Sequence, residues 1–149
     1  MGLRGYQDGH ALHYLRHASR AYIFSAALPP AQTAAANEAF KVILDEPWRI
    51  EKVNANSRQF ISGLKDAGFD TLLTTTAIVP VLCGTDERAF ALTRACQHKD
   101  LFVLPVVSPA VPEGLSRLRA TVTAAHEPKE IDYALGVIAT AGKEIGIIQ

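Results

Sequence analysis

Residues 114–132, GLSRLRATVTAAHEPKEID, decide how the rest of the chain is read. The first part alternates, so that Leu118, Ala120 and Val122 share one face of an extended strand and Arg117, Arg119, Thr121 and Thr123 share the other. Two arginines two residues apart on a strand point the same way and can offer one anion paired guanidinium forks. The alternation stops at Ala124-Ala125-His126, and Glu127-Pro128 predicts a helix start. Proline suits the first turn, where its missing N–H has no intrahelical partner anyway, and Glu127, Glu130 and Asp132 favour the positive end of the helix. On pattern alone, an edge strand with two solvated arginines accounts for the same residues.

Working back from this stretch, residues 108–114 read as a loop and residues 101–107 (LFVLPVV) as a strand that carries a proline. Gly84-Thr85-Asp86 turns into a helix over 86–98, with Asp86 and Glu87 at its start. Residues 78–83 (IVPVLC) form a buried type of strand. Pro80 cannot donate to a ladder, which places this strand near an edge or at a bulge. Forward of the stretch, a helix runs over 128–143, where Ile131, Leu135, Ile138, Gly142 and Ile145 keep a four-three-four-three rhythm.

Nearer the start, the spacing predicts a long helix over 48–67 with an apolar stripe of Ile50, Val53, Ser57, Ile61 and Leu64, stopped by Gly68. Before it, Pro30 opens a helix over 31–44 whose alanines let another backbone approach closely, as in a crowded interior or an interface. Residues 20–27, with Tyr22, Ile23 and Phe24, read as extended and are stopped by Pro29-Pro30. A short helix over 10–19 puts His10, His13 and His17 on one face. No acidic or cysteine ligand accompanies them, so a solvated or interface face is expected and no metal site. Residues 1–9 hold three glycines without periodicity and read as a flexible lead-in to a single domain, 1–149. The element order is α+β, with a small, mostly antiparallel sheet covered by helices.

Composition narrows the class. The 149 residues are 48% hydrophobic and 20% charged, with 15 basic and 15 acidic side chains, so no net charge argues for nucleic acid or a membrane surface as partner. No apolar run reaches the roughly 20 residues needed to span a bilayer. Cys83 and Cys96 lack metal-ligand or disulfide-framework spacing, and a cytoplasmic location is expected.

Three blocks carry a family resemblance. RLRATVTAAHEPKEID (117–132) resembles the closing motif of the alpha-oxoamine synthases, FSAALPP (24–30) resembles an upstream block, and Val111-Pro112 followed by Gly114 stands where the family has its VP-x-G turn. The similarity runs over residues 14–148. It implies the small C-terminal domain of a fold-type I pyridoxal-phosphate enzyme that condenses an acyl-CoA with an amino acid, of the 8-amino-7-oxononanoate synthase or glycine C-acetyltransferase (2-amino-3-ketobutyrate CoA ligase) type. Arg119 falls on the arginine that holds the amino-acid carboxylate, with Arg117 as its neighbour and a structural role open to it. Ser25 falls in the block that approaches the cofactor phosphate or acyl-CoA of the partner subunit across a homodimer interface, and a strand-end hydroxyl satisfied by the backbone accounts for it equally. His126 is the structural histidine that closes the motif.

Two departures qualify the resemblance. Some members carry an arginine directly before the proline that leads into the VP turn, and here Ser108 stands before Pro109. That puts in doubt a binding mode that needs two arginines. None of Lys41, Lys52, Lys65, Lys99, Lys129 or Lys143 lies in the Ser/Thr-rich turn that holds the family's Schiff-base lysine. The expectation is therefore the last third of a longer enzyme, without catalytic residues of its own. The cofactor-binding large domain would lie outside this chain, and the chain alone would not bind pyridoxal phosphate. The alternative is a non-catalytic α+β interaction module.

Overall fold

The structure, a computed structural model, describes residues 9–149. The flexible lead-in expected at 1–9 lies, Gly9 apart, outside the described residues. The chain divides into two compact units, one ending at Leu44 and one spanning Asp45–Gln149.

The first unit is helical: α1 (Gly9–Ala18), α2 (Arg20–Ile23) and α3 (Pro30–Asp45). None of these helices buries a residue. Pro30 opens α3 as its chemistry requires, and the Pro29 carbonyl accepts from both the Thr33 N–H and its hydroxyl, each at 3.1 Å. The histidine face exists, with the His13 and His17 rings 4.6 Å apart. Among the described residues no three metal-ligating side chains converge. The extended reading of residues 20–27 is overturned. Ser19 takes extended angles and ends α1, and its carbonyl then accepts from the Tyr22 and Ile23 N–H groups at 3.1 and 3.0 Å. These local bonds satisfy the backbone as one helical turn, in a unit that has no strand among its described residues.

The second unit contains α4 (Trp48–Asp66), β1 (Ile78–Gly84), α5 (Asp86–Gln97), β2 (Leu104–Val106), β3 (Ser116–Thr121) and α6 (Pro128–Ile145). The strands form one antiparallel sheet in the order β1-β3-β2. Pro80 sits on an edge strand, as its missing donor demands. The arginine strand does not. β3 is the central strand, so the edge-strand reading fails. The strand expected over 101–107 shrinks to three residues, because the Leu101 N–H turns back to the Cys96 carbonyl at 3.0 Å and Pro105 has no donor.

One sheet face is buried. Val79, Val81 and Cys83 alternate inward on β1, and Ser116, Leu118 and Ala120 on β3, against Phe60, Leu64, Leu92, Cys96, Ile131 and Ile138 from the helices. The stripe expected on α4 is rotated. Its buried residues are Asn56, Ser57, Phe60 and Leu64, while Ile50 is exposed. Packing chose the face that carries Phe60 and a buried amide over the one with Ile50. No helix among the described residues is long and apolar enough to cross a membrane.

Candidate functional site

The uncovered face of the sheet carries the candidate site. Cross-strand partners place Pro80 and Leu104 on either side of Arg119, Leu82 and Val106 on either side of Arg117, and Ile78 beside Thr121. Residues opposite each other in an antiparallel pair project to the same face. Arg119 is therefore a guanidinium in the middle of a sheet, flanked by two apolar side chains. It is exposed, and among the described residues it has no hydrogen-bond or ion-pair partner. A fork of donors held beside apolar neighbours and left unspent is suited to a carboxylate or phosphate.

Arg117 differs. Its Nε donates to the Leu115 carbonyl at 2.9 Å, and the residue is half-buried. That contact makes it a brace for the loop before β3. Nothing in the alternating pattern separated the two arginines, because their inequality comes from the loop.

The strand leads into a tight corner. The backbone N–H of Thr123 donates to His126 Nδ1 at 3.1 Å. Asn56 on α4 donates to the carbonyls of Thr123 and His126 at 3.0 and 2.9 Å. Glu127 then caps α6 in a reciprocal box with Glu130, and Pro128 follows in the first turn. Glu127 also meets Lys52 Nζ at 2.6 Å, which holds its carboxyl below the ordinary value. His126 thus has a structural part, and Asn56 is a residue that sequence reasoning missed: a buried asparagine on an amphipathic helix gives no periodic signal.

Ser25 lies in the first unit, just past α2, and is exposed. Its hydroxyl donates to the Tyr22 carbonyl at 2.8 Å, so its proton is already engaged. Ser108 is exposed and precedes Pro109 through a cis peptide bond. A cavity of about 510 Å³ in the second unit is lined by Phe60, Phe102, Val103, Val122, His126 and Ile138 among others, and Arg119 is not part of its wall.

The donor set does not by itself fit pyridoxal phosphate. None of the six lysines is buried, and Lys41 and Lys52 are in ion pairs with Glu38 and Glu127. A Schiff-base lysine needs a desolvated amine, and no lysine here has that setting.

Comparison with known proteins shows the family. Residues 2–138 match the family model for aminotransferase class I and II. A putative 8-amino-7-oxononanoate synthase of Geobacillus kaustophilus is 42% identical over 91% of this chain and 35% of its own length. The 8-amino-7-oxononanoate synthase 1 of Bacillus velezensis is 39% identical over 98% of this chain and 38% of its own. Among solved structures, a serine palmitoyltransferase with a PLP internal aldimine superposes with a TM-score of 0.81 at 33% identity, over 92% of this chain and 35% of that one. The chain thus spans about a third of the length of the relatives it matches.

Proposed function

We infer the function of this chain from one premise: it belongs to the class I and II aminotransferase family and, within it, to the alpha-oxoamine synthases. Its α+β fold is that of the small domain of fold-type I pyridoxal-phosphate enzymes. The proposed role is the carboxylate-binding part of an acyltransferase that joins an acyl-CoA to an amino acid, of the 8-amino-7-oxononanoate synthase type. The unpaired Arg119 guanidinium between Pro80 and Leu104 on the central strand is the observation that carries this reading.

In that role Arg119 grips the amino-acid carboxylate with two parallel N–H···O bonds. A planar fork fixes the rotation of the bonds at Cα, where a point charge would leave them free. Pyridoxal phosphate, if held by a large domain, would supply the electron sink for chemistry at Cα. Pro80 and Leu104 keep water from the sides of the fork and strengthen the contact. Arg117 holds the loop. Ser25 is proposed to approach the cofactor phosphate or acyl-CoA of a partner subunit, and to do so it must release the Tyr22 carbonyl.

The proposed partners are a cofactor-binding large domain and a second copy of the whole. Supporting this, α1, α2 and α3 bury nothing and expose Tyr22, Phe40 and Leu44, and Phe24 just past α2 is exposed as well. So much apolar surface on residues 9–44 is unusual for an uncovered monomer.

The test uses an enzyme in which this chain is joined to its large domain. Arg119→Lys keeps the charge and loses the fork. Amino-acid affinity should fall about ten- to a hundredfold, about 1.5–3 kcal/mol, with cofactor binding intact. Arg117→Lys should be milder. Wild-type affinity in Arg119→Lys would sink the carboxylate assignment.

A further inference from the structure

Thr85 takes extended angles and caps α5, its hydroxyl accepting from the Arg88 N–H at 3.3 Å, which makes Asp86 the first helical residue. The Asp86 carboxylate is half-buried at the positive end of the helix. Its Oδ1 accepts from two groups far apart in sequence. One is the hydroxyl of Ser116; the other, longer contact is the backbone N–H of Ser108 at 3.4 Å. Ser116 is fully buried and begins β3, while Ser108 stands just past the end of β2. One acceptor oxygen therefore gathers both ends of the β2–β3 loop.

The ladder gives out at the same place. β1 and β3 pair regularly from Ile78 opposite Thr121 to Leu82 opposite Arg117, and the register then slips before Gly84 meets Ser116. At the start of β3 the Asp86–Ser116 bond stands in for regular pairing. Within the loop, the bonds are local: Ala110 N–H to the Val107 carbonyl, Leu115 N–H to Pro112, and Arg117 Nε to Leu115. Among the described residues, no polar side chain other than Asp86 reaches this loop from the helices.

Among the described residues Arg119 has no polar partner to aim it, so the backbone of β3 sets where its fork stands. We propose that Asp86 is a positioning residue for substrate: it clasps the β2–β3 loop and anchors the start of β3, and through that strand it holds Arg119 where a carboxylate can be gripped. The proposal rests on the Arg119 reading above.

Two readouts test it. In this chain, amide hydrogen exchange reports the clasp. Asp86→Ala should speed exchange across residues 108–116 about tenfold or more while α4 and α6 keep their protection. In the enzyme joined to its large domain, the same change should weaken amino-acid binding about five- to tenfold with pyridoxal phosphate bound as before. Asp86→Asn keeps the accepting oxygen and should restore both. If Asp86→Ala does not fold, Ser116→Ala removes the partner hydroxyl and carries the same two readings. The proposal is overturned by a loop that exchanges at the wild-type rate, by a loosened loop with unchanged amino-acid affinity, or by Asp86→Asn behaving like Asp86→Ala. If instead Arg119→Lys leaves affinity unchanged, the carboxylate assignment has failed, and the exchange measurement still decides whether the clasp exists.

Discussion

The side-chain amide of Asn56, midway along α4, donates to the main-chain carbonyl of His126 at 2.9 Å. Its other hydrogen goes to the Thr123 carbonyl at 3.0 Å, and inside the same corner His126 Nδ1 accepts the Thr123 N–H. The turn from β3 into α6 is closed from both sides. The tautomer with its proton on Nε2 is the one that fits.

Asn56→Ala removes both donors from a residue only 4% exposed. The two carbonyls lose their partners, and unfolding free energy should drop by about 2–4 kcal/mol, read from urea denaturation. Gln59→Ala, which removes a bond to Asp132 on the outer surface, should cost less than about 1 kcal/mol. Equal losses would mean that the corner is no more important than a surface contact.

Two helical glycines should respond differently to a methyl group. At Gly142 on α6 it would run into the ring of Phe69, a buried core residue. At Gly63 on α4 it would meet the end of the Leu135 side chain, which is half-buried and can turn aside. Overpacking costs about 1–3 kcal/mol, against a gain of up to about 1 kcal/mol in helix propensity. Gly142→Ala should lower the melting temperature and Gly63→Ala should leave it nearly unchanged. The reverse order would show that the approach of α6 to Phe69 is not tight.

Burial pushes both thiols, Cys83 and Cys96, from 9.0 up to about 11. A group whose folded pKa is raised favours the folded state while protonated, so this contribution is complete below pH 9 and is lost as pH climbs through 11. Iodoacetamide at pH 8 should leave both unmodified in the folded chain and label both in denaturant, followed by mass. Fast labelling of the folded chain would show that the α5–sheet interface opens readily.

The Lys52 ammonium, by hydrogen bond first and charge second, lowers the Glu127 pKa. A depressed carboxyl stabilises the fold above its unfolded pKa and loses that contribution as pH falls through the folded value. Lys52→Gln should therefore lower the melting temperature slightly at pH 7, and the gap from wild type should close in acid. A gap that persists in acid would assign the effect to packing of the lysine stem.

What the sequence determined by itself was local and short-ranged. Alternation across Leu118, Ala120 and Val122 put both arginines on one face, Pro128 opened α6, Pro80 kept β1 at an edge, and Gly68 ended α4 at a φ of 99°. Each follows from sterics or from a donor present or missing within a few residues, so the residue types suffice. The motif blocks added the family, since side chains shared in order need no coordinates to be recognised.

Only the tertiary structure decided the rest. A strand pattern cannot say how many neighbours a strand has, so β3 read as an edge and is central. Tyr22-Ile23-Phe24 suited a strand and became part of a turn, because a strand needs a partner and a turn satisfies itself. The site is divided in the same way. Arg117 and Arg119 are equivalent in the alternating pattern, and the loop separates them by engaging Arg117 Nε with Leu115. Asn56 reaches a carbonyl 70 residues on, and Asp86 a hydroxyl 30 residues on. Bonds of that span exist only once the helices have packed against the sheet, and no periodicity records them.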